Sequence, residues 1–364
     1  MKRILFCCCI IVCISFLSCH TNQQPASDTN IAADTLPLKD FVAGIHPPFK
    51  ECHASTLIHL KNGQFLVAWF AGTKEKNDDV GIWLVKGRPH QWSAPRQVAK
   101  IRHDAHWNPV LFQSPTGKIY LFFKVGKEIP QWEAWYQVSD DEGETWSQAK
   151  ELVPGDKGGR GPVRSKPIIL SDGTWLAGCS NEFNGFHVFT DRSTDEGKTW
   201  TATPYLALSD TSLNNKELIQ PTLWESSPGN IHMLLRSELG IICRSDSKDD
   251  GKTWVPIYKT TLPNPNSGID VTKLPDGTLV LAYNPDHKND GDRSPLWLAL
   301  STDNGLTWPT KISVEDTRPE DEYSYPGLIN YGDTIAMSYT WQRTNIAFWL
   351  GTKETILRGK MKSK

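Results

Sequence analysis

The sequence predicts an all-β fold, a six-bladed β-propeller with four strands in each blade. Two observations carry this prediction. The phrase S-x-D-x-G-x-T-W occurs four times, and its closing tryptophan recurs every 54 residues, at Trp146, Trp200, Trp254 and Trp308. A repeat of this length is typical of propellers and other repeat arrays. Six strand–turn–strand patterns also follow one another along the chain, with no long helical pattern between them.

Each blade is expected to open with one of these hairpins, in which two apolar runs flank a turn containing glycine. Two further strands, joined by the repeated phrase, complete the blade, and about 325 residues at 54 per repeat give six blades. The sixth blade lacks the phrase, so residues 36–45 are expected to add its fourth strand and close the ring. The opening hairpins are 53–70, 108–125, 166–180, 220–236, 268–284 and 325–341.

The repeated phrase is predicted to lock a turn rather than to catalyse a reaction. Its Asp can accept backbone N–H groups across a tight turn, its Gly suits positive φ, and its Trp can wedge between strands. A turn on an outer hairpin lies away from the propeller axis. Residues 286–293 lack the spacing of a calcium loop, and no Cys/His spacing indicates zinc. The sequence therefore predicts no metal and no cofactor.

The N-terminus has the pattern of an export signal. Lys2 and Arg3 precede an apolar run of about 15 residues, which is too short for a good membrane span. The run ends in "FLSC", which resembles a bacterial lipoprotein cleavage site, so Cys19 is the predicted lipidated residue; the alternative is an ordinary cleaved signal. We expect a signal peptide at 1–18, a lipidated tether at 19–35, the propeller at 36–364, and a membrane-anchored protein in the periplasm or at the cell surface.

Charge and composition narrow the class of partner. The formal net charge of −2 argues against nucleic acid as the main partner. The chain has fifteen tryptophans, more than the repeated phrases account for, and the faces of aromatic rings can stack on sugar rings. Cys52, Cys179 and Cys243 are scattered and odd in number, so they are expected to be buried thiols rather than disulfides.

Candidate site residues introduce the opening hairpins. The innermost strands of a propeller converge on its axis, so side chains at their entry ends are expected to line one shallow cup. Several of these side chains are cations, and guanidinium groups bind carboxylates in bidentate fashion, which indicates an anionic ligand such as a sugar acid. The positions are His53, Trp107, Asn108, Arg164, Lys166, Gln220, Asp270 and Tyr325, and the second strands and following loops add Asp78, Asp79, Arg236 and Arg293.

These motifs resemble the sialidase (neuraminidase) superfamily, and more closely its bacterial Asp-box, or BNR-repeat, sialidase-like proteins. The repeated phrase is the Asp box of that group, and the segments "WNPVLF", "GPVRSKPI", "NPNSGID", "RSPLWLALS" and "EYSYPGLI" are similar to it. The resemblance covers essentially the whole chain after residue 45. It implies a sialidase-like propeller and an exo-acting glycosidase.

The family's carboxylate-binding arginines match this chain in part. Three arginines grip the substrate carboxylate in that family, and the second and third fall on Arg236 and Arg293. The first belongs to an Arg-Ile-Pro motif, where this chain has His53 in "CHAS". Arg164 or Lys166 is the possible replacement, since either could reach the carboxylate.

The family's catalytic groups also match in part. Its acid/base Asp falls on Asp79 or the neighbouring Asp78, and its nucleophilic Tyr falls on Tyr325, with Tyr323 as the alternative. The Glu that activates that Tyr falls on Gln220, which cannot accept the phenol proton.

The sequence is therefore consistent with three functions. The first is an exo-acting hydrolase of sialidase type that acts on a glycan bearing an acidic sugar, with Tyr325 at the anomeric centre. The second is a polysaccharide lyase or another uronate-active enzyme, in which His53, Tyr325 and arginines neutralise a carboxylate and abstract the adjacent proton. The third is a glycan-binding lipoprotein without chemistry, which Gln220 favours.

Overall fold

Six antiparallel sheets form a ring, so the predicted six-bladed β-propeller is confirmed. The computed structural model describes residues 36–157, 159–162, 164–182, 185–317 and 320–362. The predicted signal peptide, tether and lipidated Cys19 lie outside these ranges and stay predictions. No helix in the described ranges has the length and apolar character needed to span a membrane.

The first three blades follow the predicted order from inner to outer strand. In blade 1 two short outer pieces both pair with the third strand. Blade 1 contains β2 (Glu51–His59), β3 (Phe65–Gly72), β4 (Gly81–Arg88), β5 (Gln91–Trp92) and β6 (Arg96–Ala99); blade 2 contains β7 (His106–Gln113), β8 (Ile119–Val125), β9 (Glu133–Ser139) and β10 (Lys150–Glu151); blade 3 contains β11 (Ile168–Ile169), β12 (Trp175–Asn181), β13 (His187–Ser193) and β14 (Thr201–Ala202).

The last three blades complete the ring. Short 3₁₀ turns occur at Ile129–Gln131 and Thr211–Leu213, and one helix, α1 (Lys353–Lys362), follows the last strand. Blade 4 contains β15 (Leu218–Ser227), β16 (Asn230–Ser237), β17 (Ile241–Ser247) and β18 (Tyr258–Pro263); blade 5 contains β19 (Asp270–Lys273), β20 (Leu279–Tyr283), β21 (Leu296–Ser301) and β22 (Thr310–Glu315); blade 6 contains β23 (Tyr323–Tyr331), β24 (Thr334–Trp341), β25 (Asn345–Thr352) and β1 (Leu38–Phe41).

The N-terminal strand closes the ring as predicted. β1 pairs antiparallel with β25, with Leu38 opposite Leu350 and Phe41 opposite Ala347. Blade 6 thereby combines three strands from the end of the chain with one from its beginning. This pairing covers the open edge of β25, which would otherwise present unpaired backbone groups.

The core lies within and between the blades, because most blade strands are buried on both faces. In β3 every residue from Phe65 to Ala71 is buried. Such strands carry continuous apolar runs rather than alternating ones, which is why the hairpins stand out in the sequence. Cys52, Cys179 and Cys243 are buried free thiols, as expected.

The Asp-box phrase locks a turn between the third and fourth strands of blades 2 to 5. In the blade 4 copy the Ser247 hydroxyl accepts the Gly251 N–H at 3.0 Å, and Asp249 accepts the Thr253 N–H at 2.9 Å and the Thr253 hydroxyl at 2.6 Å. Gly251 has φ of +71°, which favours glycine. Hydrogen bonds, first from the threonine hydroxyl, lower the pKa of Asp141, Asp195 and Asp303 to about 2. The Asp-box carboxylates are thus occupied within their own turns.

Each Asp-box turn is also tied to the blade before it. Side chains of the preceding blade donate to backbone carbonyls of the turn: Tyr120 to Glu196 at 3.1 Å and Arg244 to Asn304 at 3.0 Å. Arg96 and Arg192 donate in the same way to Gly143 and Asp250. These turns lie at the end of the strands opposite to Tyr325, and we call that side of the ring the back face.

Candidate active site

The cup is built by a recurring irregularity in the inner strands. In blades 1, 2, 4 and 6 the register shifts near the start of the inner strand. At each shift one residue that is not glycine has positive φ: Ala54 (55°), Asn108 (41°), Gln220 (54°) and Tyr325 (52°). A β-bulge of this kind bends the strand and changes the direction of a side chain. The same local backbone therefore places one residue from each of these blades at the mouth of the axis.

Tyr325 lies at the centre of a cluster of arginines. The guanidinium carbons of Arg164, Arg236 and Arg293 lie 5.3, 5.6 and 5.3 Å from the centre of its ring. The Tyr325 hydroxyl accepts a hydrogen bond from Arg236 Nη1 at 2.5 Å. Cations at these distances interact favourably with an aromatic face.

Gln220 contacts the same arginine. Its Oε1 accepts from Arg236 Nη1 at 3.2 Å, while Asn266 Oδ1 accepts from Arg236 Nε at 2.8 Å. Two neutral amides therefore fix the guanidinium that bonds Tyr325. The nearest carboxylate to this arginine is Glu217, whose Oε1 is 3.8 Å from Arg236 Nη2.

His53 is buried against Tyr325 on the blade 1 side of the cup. Its ring centre is 4.2 Å from that of Tyr325, and its Nδ1 is 2.9 Å from the Thr340 hydroxyl. Burial is the main cause that holds the pKa of His53 well below its ordinary value, and the surrounding arginines, first Arg343, lower it further. His53 is thus neutral at physiological pH and cannot replace the positive charge of an arginine.

Glu322 organises a second set of contacts beside His53. Its Oε1 accepts from the Ser324 hydroxyl at 2.7 Å and from Arg293 Nη1 at 3.3 Å, and its Oε2 accepts from Arg343 Nε at 2.7 Å. Burial opposes ionisation of this carboxyl, but the two arginines outweigh it and lower the pKa of Glu322. Arg343 also pairs with Glu75. This network positions Arg293 at the cup.

Glu182 is a carboxyl with a raised pKa near Arg236. It lies directly after β12, in the loop on the cup side of blade 3. Burial, and then the charge of Glu217, raise the pKa of Glu182 from its ordinary 4.5 to about 7, although Arg236 opposes the shift. A carboxylic acid that is protonated near neutral pH is a candidate proton donor.

We expect Glu182→Gln to stabilise the protein at pH 8 but not at pH 4. A carboxyl whose pKa is higher in the folded than in the unfolded state binds an extra proton when folded, so stability falls as pH rises from about 4.5 to 7. Since one pKa unit corresponds to about 1.4 kcal/mol, and part of the side chain is exposed, we expect a gain of about 1–2 kcal/mol. Urea unfolding at both pH values measures this gain, with Glu238→Gln, in a half-buried ion pair with Lys216, as the control. An equal effect at both pH values would contradict the assignment.

Lys166 and Asp270 pair with each other rather than pointing into the cup. Lys166 Nζ donates to both Asp270 oxygens, at 3.0 and 2.9 Å, and to the Val271 carbonyl at 2.9 Å. Asp270 also accepts from the Thr222 hydroxyl at 2.7 Å and from the Leu328 N–H at 2.8 Å. Asp270, in blade 5, thereby joins side chains or backbone from blades 3, 4 and 6. These contacts favour a structural role over the predicted substrate contact.

Trp107 and Tyr323 lie outside the arginine cluster. Trp107 is 2% exposed, packs on Trp132 and donates its indole N–H to the Gly126 carbonyl at 2.9 Å, so it belongs to the core and not to a sugar platform. The Tyr323 hydroxyl donates to Asp321, which leaves Tyr325 as the tyrosine among the arginines. Asn108 sits at the blade 2 bulge and is buried.

Asp78 and Asp79 lie in the exposed loop between β3 and β4, on the cup side of blade 1. Asp79 accepts from the Thr73 N–H at 2.8 Å and from the Thr73 hydroxyl at 2.9 Å. The Asp78 carbonyl accepts from Lys100. Within the described ranges, neither carboxylate makes a hydrogen bond or ion pair to Tyr325 or to the cup arginines.

Sequence reasoning missed Glu182, Glu217, Glu322 and Arg343. Arg236 was found because it ends the second strand of its blade. The end of the second strand can be read in the same way in blades 3 and 6. It lies in "SNEF" for β12 and in "TWQRTN" for β24, and these segments contain Glu182 and Arg343. Glu217 and Glu322 precede inner strands, three residues before Gln220 and Tyr325, and no repeat marks them. In the part of the chain that the structure describes, no group of three or more acidic, His or Cys side chains could hold a metal.

A protein-family model and a known protein both match this sequence. The model of the BNR repeat-like domain matches residues 63–337. A sialidase of Micromonospora viridifaciens is 30% identical in an alignment of 212 residues that covers 53% of this chain and 32% of that protein. This chain therefore spans about a third of the length of that relative.

Solved structures with the same fold have low sequence identity. NanB sialidase of Streptococcus pneumoniae, as its K499G mutant, superposes with a TM-score of 0.68 at 14% identity, over 83% of this chain and 68% of that one. The intramolecular trans-sialidase of Ruminococcus gnavus gives 0.66 at 14% identity, over 84% and 95%. At such identity the likeness establishes the fold alone.

Proposed function

Because the chain belongs to the sialidase-like proteins of the BNR repeat-like domain family, we propose that it is an exo-acting glycoside hydrolase of sialidase type. Its substrate is a glycan that ends in an acidic sugar. One observation carries the proposal: the guanidinium groups of Arg164, Arg236 and Arg293 surround the ring of Tyr325 at 5.3–5.6 Å. Such a cluster suits a carboxylate held against the tyrosine.

Tyr325 acts in this proposal as the group that attacks the anomeric carbon. A bond forms from the phenol oxygen to that carbon while the bond to the leaving oxygen breaks; the phenol proton passes to solvent water, and the leaving oxygen takes a proton from the acid. Water then attacks the same carbon, the bond to the tyrosine oxygen breaks, and that oxygen regains a proton as the sugar is released. A phenol, unlike a carboxylate nucleophile, brings no negative charge of its own towards the substrate carboxylate. Gln220 is an amide and cannot take the phenol proton, but the hydrogen bond from Arg236 at 2.5 Å stabilises the negative charge that develops on the phenol oxygen as its proton leaves.

Asp79 is the proposed acid that protonates the leaving oxygen. Its loop lies on the cup side, and its carboxylate contacts only its own loop, through Thr73, among the hydrogen bonds of the described residues. Glu182 is the alternative acid, since burial raises its pKa to about 7.

We expect Asp79→Asn to slow cleavage of a natural glycan by about 10²–10⁴-fold but cleavage of an aryl glycoside far less. An aryl leaving group departs without a proton, so the loss of its acid costs little. Initial rates on the two substrates measure the difference, with Asp78→Asn as the matched control. If Glu182→Gln shows this dependence on the leaving group and Asp79→Asn does not, Glu182 is the acid.

The proposal is tested by incubating the purified chain with sialosides, other keto-acid glycosides and uronosides and identifying products by mass. Release of the terminal acidic sugar supports it. Absence of turnover on the whole panel contradicts it, and binding measured by calorimetry without turnover would support a glycan-binding protein instead.

A second function, β-elimination from a uronate, is favoured by Gln220 and His53. Gln220 stands where a tyrosine-activating carboxylate is expected, and the neutral His53 ring lies 4.2 Å from that of Tyr325. In this reaction a base removes the proton next to the carboxylate, a carbon–carbon double bond forms and the glycosidic oxygen leaves with a proton. The unsaturated product absorbs in the near ultraviolet, and His53→Ala should abolish its formation.

A further inference from the structure

Arg164 differs from the other cations of the cup in its partners. Arg293 and Arg343 form ion pairs with Glu322, and Arg236 lies 3.8 Å from Glu217. Arg164 forms no ion pair within the described ranges. Its Nη2 donates to the Pro326 carbonyl, and its Nε is buried without a hydrogen-bond partner.

Arg164 is also among the most buried cations of the site. It is 4% exposed, and its Nε would lie 3.0 Å from a Cβ added at Gly268. A side chain at position 268 would therefore push against both Arg164 and Tyr325, whose Cγ lies 3.2 Å from the same point. Burial lowers the pKa of Arg164, and the charge of the nearby Asp270 carboxylate, which is bound to Lys166, offsets this only in part, so the cost of burying the cation remains. An anion bound in the cup would offset this cost.

We infer that Arg164, in blade 3, makes the contact to the substrate carboxylate that the sialidase resemblance assigns to an arginine in blade 1. This inference rests on the proposed function. It selects Arg164 over Lys166, because Lys166 already donates to the Asp270 carboxylate and the Val271 carbonyl. It also excludes His53 as a substitute cation, because His53 is neutral.

The assignment changes where the acidic sugar lies. Arg164, Arg236 and Arg293 come from three consecutive blades, 3, 4 and 5, and face Tyr325 from blade 6. The carboxylate is then held on the half of the cup formed by those blades. Blades 1 and 2, with His53, Asp79 and Asn108, face the remainder of the substrate. Ligands with bulk on the side of blade 1 should therefore be accepted.

The test compares an acid with its neutral ester. The probes are the methyl glycosides of N-acetylneuraminic acid and of glucuronic acid, each as the free carboxylate and as the methyl ester, with binding measured by calorimetry. We expect Arg164→Gln to weaken binding of the carboxylate by about 30-fold or more and binding of the ester by less than about 3-fold. Arg164→Lys, which keeps the charge but loses the bidentate fork, should lie between wild type and Arg164→Gln.

The controls separate a binding defect from a folding defect. Thermal unfolding and circular dichroism establish that each variant is folded, and added carboxylate should raise the melting temperature of wild type but not of Arg164→Gln. Lys166→Gln is the matched variant for the rejected alternative and should bind the carboxylate as wild type does.

Each outcome supports or overturns a specific claim. If wild type binds a carboxylate and Arg164→Gln binds it equally well, the inference is wrong while the proposed function stands. If Lys166→Gln rather than Arg164→Gln loses binding, the carboxylate is held by blade 3 through the other cation. If wild type binds neither acid, both the inference and the proposed acidic substrate are overturned.

Discussion

Tyr325→Phe is expected to lower turnover of an acidic glycoside by about 10²–10⁴-fold or more while the affinity for the free acid changes little. The substitution removes one oxygen, which accepts from Arg236 at 2.5 Å and which the proposed reaction joins to the anomeric carbon. The ring remains, so its contacts with Arg164, Arg293 and His53 are kept. Steady-state kinetics should therefore show a fall in kcat with little change in ligand binding.

Tyr323→Phe provides the matched control, since it removes a phenol hydroxyl two residues away. The Tyr323 hydroxyl donates to Asp321 and does not contact the arginine cluster. Its loss should leave kcat within about threefold of wild type, as expected for a residue that does not touch the substrate. A large fall for Tyr323→Phe, with activity retained by Tyr325→Phe, would exchange the roles of the two tyrosines.

Asp270→Ala is expected to destabilise the fold by about 3–5 kcal/mol, the range for removing one partner of a buried ion pair. Asp270 is 2% exposed and accepts hydrogen bonds from Lys166, the Thr222 hydroxyl and the Leu328 N–H. Its removal leaves the Leu328 N–H and the Thr222 hydroxyl without their acceptor and Lys166 without its counter-charge near the axis, where four blades meet. Urea unfolding monitored by tryptophan fluorescence measures the loss.

Two comparisons separate this structural role from substrate binding. Asp276→Ala removes a carboxylate whose partner, Lys353, lies near the surface, and should cost less than about 1 kcal/mol. Lys166→Met combined with Asp270→Asn removes the charge of both partners and should recover part of the stability. A folded Asp270→Ala protein with normal stability but no affinity for acid sugars would restore the predicted role in substrate binding.

The fold followed from the sequence because one structural unit is written repeatedly. The Ser, Asp, Gly and Thr of the Asp box make nearly identical hydrogen bonds in blades 2 to 5, so selection on one turn geometry leaves the same letters every 54 residues. The closing strand β1 was predicted by elimination, since blade 6 lacked a fourth strand. Helix α1 was not predicted, because ten residues after the last strand carry no repeat.

The positions of candidate site residues could be predicted where backbone geometry repeats, but not where contacts depend on pairing between distant blades. Tyr325 and Gln220 occupy equivalent bulges, so their positions at strand starts placed them near the cup. Trp107 precedes the bulge at Asn108, and neighbouring residues of a strand point in opposite directions, which places Trp107 in the core. Lys166 and Asp270 satisfy each other, and pairing between blades more than 100 residues apart cannot be seen in a linear pattern.

Glu322 illustrates the remaining limit. It contacts Arg293 of blade 5, Arg343 of blade 6, and Ser324 of β23, the strand that follows it. No spacing in the sequence connects these positions, because the contacts depend on how three loops meet above the axis. Single-sequence reasoning recovers such a residue only after the fold has brought those loops together.

The direction of β1 also determines at which face of the ring the preceding chain joins it. β1 runs from Leu38, near the back face, towards Phe41, near the cup. If the chain is anchored through the residues before Leu38, as the sequence predicts, the attachment joins the ring at the back face and not at the cup. A pulling force applied through the chain before Leu38 would act along β1. It would therefore load the hydrogen bonds between β1 and β25 together, in shear, rather than opening them one at a time. β1, which completes the ring, would then also be the element that carries this force.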